Sequence, residues 1–597
     1  MERSLWFWRV PAFGLYYASA GVLVALGFSS APSLGRSPEH LLRNEYLQIF
    51  VRQFTPDDAA VPDDVRQRLA AASAKEVTDF AGTRWLATGR GLLQITIKHG
   101  QGGRAARLWT GKDGLPITAL TGAASGPDGW LWLATSDGAI SFHPRAPARH
   151  RWFYFWGRRY LRDNTVESIV AEEHRAWIRT RMGVSLVEFR PTTLEEKSTA
   201  FLDRIRQRHN RYGYVADSQL TRPGDLTSNR PAPTDNDGLW TSIYVAAECF
   251  RYVVTHSPEA LANARASLAA LVRLESVTSI PGFPARALIR RGDYRDPDGE
   301  WHWSRDGQWE WKGDTSSDEL VGHFFAYSVA YDLLPDEADR QVIRPVVARI
   351  AAGLLDHGLK LVGYGGRVTT WGNYTPEYFA TPDGREDRAL DSLEILSHLR
   401  VAWHGTGEAR FGREYFRIAR QLGYAQNVAE GARETPPEIN YSDEELAFLS
   451  LYPLLRLEDD PVLRPLYRQA AEDLWRRVRS EQNPLWNFIY AAGTGARDYD
   501  SEAAVEAMER IPMDTVSWTV RNSQRADLDV LPVAGRFGEQ QSRRAIPPNE
   551  RRVMKWNGNP FELDGGDGGR SEDDGAFFLL PYWLARYHHH HLVKSSE

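Results

Sequence analysis

The sequence predicts a mainly α protein, an α/α toroid of helical hairpins, with a small β-module ahead of it. Three observations carry that reading. From Thr192 onward apolar residues recur at helical spacing in one stretch after another. Short connections join these stretches in pairs, which makes successive helices antiparallel neighbours. Between Trp85 and Val184, by contrast, a tryptophan-led motif returns at intervals of 47 and 45 residues.

Composition sets the outer limits. At 597 residues the chain is too long for one ordinary domain. It is 42% hydrophobic and 25% charged, as a folded globular chain is. A net charge of −6 gives no reason to expect nucleic acid as a partner. Cys249 is the only cysteine, so no intrachain disulfide and no thiolate metal cluster is expected, and its apolar helical setting reads as packing. No phosphate-binding loop, G-x-S-x-G elbow or H-E-x-x-H motif occurs. No cofactor and no metal are expected. The run His588–His591 reads as a solvated tail.

In chain order, residues 1–35 carry Arg3 and Arg9 before an uncharged stretch with an apolar centre, then Ser29-Ser30-Ala31. That pattern is a secretory signal peptide, with an N-terminal membrane anchor as the alternative, and it places the protein in a secreted, periplasmic or cell-surface setting. Residues 36–80 read as a polar, weakly helical linker. Residues 81–191 hold the repeat: Trp85-Leu-Ala-Thr-Gly-Arg-Gly-Leu92, Trp132-Leu-Ala-Thr-Ser-Asp-Gly-Ala139 and Trp177-Ile-Arg-Thr-Arg-Met-Gly-Val184. These units resemble the blades of two-component-regulator-type propellers. Three copies are too few for a closed propeller, so the resemblance implies a partial, propeller-like β-module with a structural role.

Residues 192–597 make the toroid. In such a ring every first helix of a hairpin runs the same way, so the inner N-termini open on one end. Each presumed inner helix starts with a polar cluster: Asp235-Asn236-Asp237 with Trp240 following, Asp314 to Glu319, Arg385 to Arg388, Asn440 to Glu444, Asn483 to Asn487 with Trp486, and Arg570-Ser571-Glu572-Asp573. Capping explains one Ser, Asp or Asn at each start. Convergent carboxylates, amides and aromatics describe a ligand cleft. Long loops add Arg286, Trp311, Trp371 and Asn373 as binding candidates.

Secreted helical toroids with aromatic, acidic clefts resemble the α/α-barrel glycoside hydrolases and polysaccharide lyases, which implies a polysaccharide or oligosaccharide partner. Hydrolysis needs one protonated carboxyl and a second carboxylate about 5–5.5 Å away for retention or about 6.5–9.5 Å for inversion. Glu319 or Asp318 is the first choice for one member, with Asp443, Glu444, Asp235 and Asp237 as candidates for the other. Elimination at a uronic acid needs a base such as His323 or Tyr441, with Asn440 and Arg286 to offset the substrate carboxylate. The surplus of acids at the helix starts favours hydrolysis. A non-catalytic glycan-binding protein is the remaining alternative.

Overall fold

The computed structural model describes residues 45–594, apart from 73, 80–81, 98–103, 296, 432–438 and 554. The expected signal peptide or anchor lies outside the described residues. Among those residues no helix is long and apolar enough to cross a membrane.

The N-terminal part is three four-stranded antiparallel sheets. Strand β1 (Tyr46–Phe54) comes first, followed by helix α1 (Asp63–Ala71). Strands β2 (Glu76–Thr78), β3 (Arg84–Thr88), β4 (Gly91–Ile97) and β5 (Arg104–Trp109) form one sheet in chain order. The next is β6 (Leu120–Ser125), β7 (Leu131–Thr135), β8 (Ala139–Phe142) and β9 (Trp152–Phe155). The third is β10 (Val166–Glu172), β11 (Arg175–Thr180) and β12 (Gly183–Thr192), with β1 added along β12 as its outer strand. The stretch expected to be a weakly helical linker therefore supplies a nine-residue strand. Its sequence, Tyr-Leu-Gln-Ile-Phe-Val-Arg-Gln-Phe, has the β-branched and aromatic content of a strand, but its hydrophobic alternation is broken because neither face is fully buried.

The repeat falls on equivalent places in the three sheets. Trp85, Trp132 and Trp177 lie on β3, β7 and β11, and all three are buried. The Thr and Gly of the motif close the tight turn that follows. Thr88 Oγ1 donates to the Gly91 carbonyl at 2.7 Å, Thr135 Oγ1 to Gly138 at 2.7 Å, and Thr180 Oγ1 to Gly183 at 3.1 Å. The glycines sit at φ of 143°, 104° and 143°, conformations that side chains other than glycine rarely adopt.

The helices that follow are α2 (Leu194–Arg204), α3 (Asp237–Thr255) and α4 (Pro258–Thr278). Strands β13 (Ala287–Arg290), β14 (Trp301–Trp303) and β15 (Trp309–Lys312) form a small sheet in the order β13-β15-β14. Then come α5 (Ser317–Leu333), α6 (Glu337–Asp356), the hairpin β16 (Lys360–Val362) and β17 (Val368–Asn373), and α7 (Pro382–Thr406). The series ends with α8 (Ala409–Phe416), α9 (Tyr424–Glu430), α10 (Tyr441–Leu457), α11 (Leu463–Val478), α12 (Pro484–Thr494), α13 (Ser501–Arg510) and α14 (Ala576–Lys594).

Six of these helices touch in a cycle: α3 on α5, α5 on α7, α7 on α10, α10 on α12, α12 on α14, and α14 back on α3. The others pack outside, α4 on α3, α6 on α5 and α7, α11 on α10 and α12, α13 on α12, and α2 on α14. Burial follows position. Ring helix α5 is buried on every face from Glu319 to Ala330, the state of a helix with neighbours all round. Outer helix α11 buries only Leu463, Tyr467, Ala471, Trp475 and Val478, a single stripe at helical spacing.

Glycine sets the approach of α3 and α5. A Cβ on Gly322 of α5 would stand 2.6 Å from the Leu239 Cα of α3, and one on Gly238 of α3 would overlap the Glu319 carboxyl of α5. His588 departs from the expected tail: it lies on α14, and its Nε2 is 3.0 Å from the Tyr452 hydroxyl of α10.

Candidate functional site

Helix α5 places two acids in its first turn, and one helical step of about 100° separates their fates. Asp318 is half-exposed. Glu319 is wholly buried, and its Oε1 accepts the Gly238 N–H at 2.9 Å, so it caps α3 from the neighbouring helix. Its Oε2 makes no hydrogen bond and lies 3.6 Å from His323 Nε2. Burial pushes the Glu319 carboxyl well above the usual range, against the opposing Gly238 N–H. Burial pushes the His323 imidazole down to about 3, and its Nδ1 lies 3.0 Å from the Tyr327 hydroxyl. Glu319 and His323 are thus a sealed pair, both fully buried in the α3–α5 seam.

Asp318 faces a different set. Its negative charge raises the pKa of Glu394 on α7, of Glu445 on α10 and of the Tyr374 hydroxyl in the connection before α7. The charge of Asp443, at the start of α10, raises Asp391 and Glu394 on α7. Carboxyls of three consecutive ring helices therefore act on one another electrostatically.

The α7 members, Asp391, Glu394 and His398, recur at i, i+3 and i+7 and share one face. Burial is the main cause raising Asp391 and Glu394 well above the carboxylate range, and the Tyr374 hydroxyl offsets only part of the Glu394 rise. Burial also holds Glu445 up to about 8, opposed by the Lys555 ammonium. Burial lowers His398 to about 3, and its ring stacks at 4.3 Å and 13° on Phe324 of α5. Both nitrogens of His398, both oxygens of Glu394 and Oε1 of Glu445 are buried without a hydrogen-bond partner. Buried polar atoms in folded proteins usually find partners, and a perturbed acid among them is a candidate functional group.

The far wall comes from Trp240, Lys555 and the approach to α14. Lys555 Nζ stands 3.9 Å over the half-exposed Trp240 ring, 3.0 Å from Asp217 and 3.7 Å from Asp574. Beside it, burial and the neighbouring acids Asp217 and Asp574 push Asp573 well above the usual range.

Of the residues expected in the cleft, Asp318 and Asp443 act electrostatically on these carboxyls, and Trp240 and Asp573 lie beside Lys555. Asn440 caps α10 and donates to Asp443 Oδ1 at 2.7 Å, which fixes that carboxylate. Others hold the fold together. Asp237 is fully buried against Arg211 at 2.6 Å and accepts the Leu288 N–H. Glu444 is buried beside Glu481, 3.5 Å from Arg477. Tyr441 lies in a separate apolar group with Ile439 and Phe561. Trp486 stacks on Phe448 at 4.7 Å and donates to Glu481, and Asn487 accepts from Trp475 Nε1 at 2.9 Å. Glu572 is clamped by Arg208 through two bonds of 2.7 Å, with Arg204 and His209 close by, and the arginines and His209 hold it down at about 2 against its burial. Arg570 is exposed and donates to the Asp567 carbonyl.

A third group sits to the side. Asp235 is exposed between Arg286 and Lys312, each at 2.8 Å, and Arg286 also donates to Asn236 Oδ1. Asp314, at φ 50°, accepts from the backbone N–H and hydroxyl of Thr370 on β17. Trp311 is buried beneath His302, Asn373 accepts from Thr375, and Trp371 is exposed on β17.

Asp391, Glu394, His398, Tyr374, Glu445 and Lys555 were absent from the sequence expectation. Asp391 and Glu394 sit two to three turns inside α7, away from the polar start that drew attention. The i, i+3, i+7 spacing of Asp391, Glu394 and His398, among Leu393, Ile395, Leu396 and Leu399, was the available signal.

No family model matches the chain, and no curated protein matches it. Among solved structures, the chain is similar to cellobiose 2-epimerase from Spirochaeta thermophila, with 13% identity, a TM-score of 0.37, and coverage of 67% of this chain and 98% of that one. It is also similar to a D-mannose isomerase, with 11% identity, a TM-score of 0.36 and coverage of 65% and 96%. A polysaccharide lyase matches at 11% identity and a TM-score of 0.33, over 67% of this chain and 98% of that one.

Proposed function

We propose that the chain is a carbohydrate-active enzyme of the α/α-toroid type that hydrolyses glycosidic bonds in a neutral poly- or oligosaccharide. What supports this reading is that buried carboxyls of α7 and α10, raised by their burial, are under the electrostatic influence of acids at the starts of α5 and α10. Glycoside hydrolysis asks for that division of labour: one carboxylic acid to protonate the leaving oxygen, one carboxylate to activate water or attack the anomeric carbon. Glu445, protonated up to about 8, serves as the acid, and Asp318 or Asp443 as the carboxylate. Trp240 offers an aromatic wall for a sugar ring. The surplus of acids around Lys555 disfavours a uronate substrate, and with it the elimination reading that needs one. The signal-like N-terminus makes export part of the proposal.

The test is incubation of the full chain with neutral and acidic glycans, read by both reducing ends and ultraviolet absorbance. New reducing ends without absorbance, lost about 10²–10⁴-fold in Glu445→Gln, support general acid catalysis. Absorbance from an unsaturated product would make the protein a lyase. Neither signal on any glycan, with binding intact, would leave it a binding protein.

A further inference from the structure

A cavity of about 460 Å³ lies between the β13–β15 sheet and the β16–β17 hairpin. None of the axial carboxyls lines it. Small-ligand sites have volumes of about 300–1,000 Å³. Its walls are charged and internally matched. Lys312 Nζ is 2.8 Å from Asp235 and 3.5 Å from Asp298, Arg286 is 2.8 Å from Asp235, and Arg367 is 2.6 Å from both oxygens of Glu300. Such walls offer donors and acceptors side by side without an unmatched cation. That suits a neutral polyhydroxy ligand and not a carboxylate, which would have to displace an acid already in place.

Tyr364 adds a platform. His302 lies against one face of its ring at 4.0 Å and 30°, and His302 in turn packs at 4.5 Å on the buried Trp311. Pinned from beneath, Tyr364 still leaves 54% of its surface in solvent at the cavity edge. An aromatic ring with one fixed and one open face beside paired polar groups is the combination a sugar ring needs, apolar on its faces and hydroxylated around its rim.

We propose that this cavity is a second carbohydrate subsite, which holds an outlying unit of a neutral glycan chain against Tyr364 while the axial carboxyls act on another. It rests on the glycan reading above for its ligand class. Affinity electrophoresis of the full chain tests it, in native gels carrying soluble neutral glucan, mannan or galactan, with polygalacturonate as the anionic probe. The expected result is retardation by at least one neutral polymer, kept in Glu445→Gln and Tyr364→Phe and weakened at least tenfold in Tyr364→Ala, with circular dichroism unchanged. Tyr364→Ala retarded like the unmodified chain would overturn it. So would retardation by polygalacturonate alone, or by no neutral polymer. If Tyr364→Ala does not fold, Arg367→Ala takes its place, with the same expected loss and the same overturning result. The two proposals fail separately. Tyr364-dependent retardation without new reducing ends removes the hydrolase and leaves the subsite, and new reducing ends with retardation indifferent to Tyr364 do the reverse.

Discussion

Glu444 and Glu445 differ by one step of α10, about 100° around the helix, and that step brings Glu444 to Arg477 and Glu445 under the influence of Lys555 and Asp318. The same step divides Asp318 from Glu319. A run of acids at a helix start tells which end of the helix is polar; the ring's geometry decides which acid faces inward, and it depends on helix rotation that no local pattern specifies. This is why the sequence drew attention to the helix starts and to Asp318, Asp443 and Glu444, but not to Glu445. Glu572 was misleading for a related reason: its partners Arg204, Arg208 and His209 lie more than 360 residues away in the chain. The axial acids are coupled, so one variant reports on another. Asp318→Asn removes a negative charge that helps to hold the Glu445 proton, and the Glu445 pKa should fall from about 8. As a general acid, Glu445 works only while protonated, so activity should decline as pH rises through about 8. In Asp318→Asn the residual activity should decline at a lower pH. A decline at an unchanged pH would mean that the titrating acid is not Glu445.

At the scale of elements, the β-module repeat was legible because each of its letters has a local job. The tryptophan is buried in its sheet, the threonine closes the turn, and the glycine takes a positive φ. The outer strand of the third sheet was not legible, because β1 pairs with β12 across more than a hundred residues and buries neither face fully. The turn glycines make a testable point. A Cβ on Gly183 would overlap the Phe54 carbonyl of β1, and one on Gly91 would overlap the Trp109 carbonyl of β5. Gly183→Ala must therefore strain its own backbone and push β1 off β12. We expect a cost of about 1–3 kcal/mol, the usual range for overpacking a closed site, read as a lower melting temperature. Gly407→Ala provides the contrast, since that glycine also has a positive φ, 72°, but has open space around its Cβ position. It should cost about 1 kcal/mol, the backbone term alone. Equal losses at both sites would show that the approach of β1 contributes nothing.

For the whole molecule, the buried titratable groups set where on the pH scale the fold is most stable. Burial raises Glu445 to about 8 and Glu481 and Glu509 to about 7, and raises Glu319, Asp391, Glu394 and Asp573 well above the carboxylate range. Each binds a proton in the folded chain that it releases on unfolding above about pH 4.5, so each contributes stability that is lost as pH rises from there through its folded value. His323 and His398, held at about 3, and His150, held at about 4, act in the opposite sense: they take up protons on unfolding below about 6.5, which favours the folded state as pH rises. Glu572, at about 2, adds stability above about 4.5 that is lost as pH falls toward 2. Between about 4.5 and 6.5 the raised carboxyls outnumber the lowered imidazoles, so their slope wins; below about 4.5 those carboxyls are protonated in both states, and the imidazoles and Glu572 are left to act. Stability should therefore peak near pH 4.5 and fall toward neutrality, with the melting temperature lower at pH 8 than at pH 5. Glu445→Gln should flatten that fall, because glutamine stays uncharged at either pH. A melting temperature that rises from pH 5 to pH 8 would mean that the axial carboxyls are ionised in the folded protein, and the division into acid and carboxylate on which the hydrolytic reading depends would go with it.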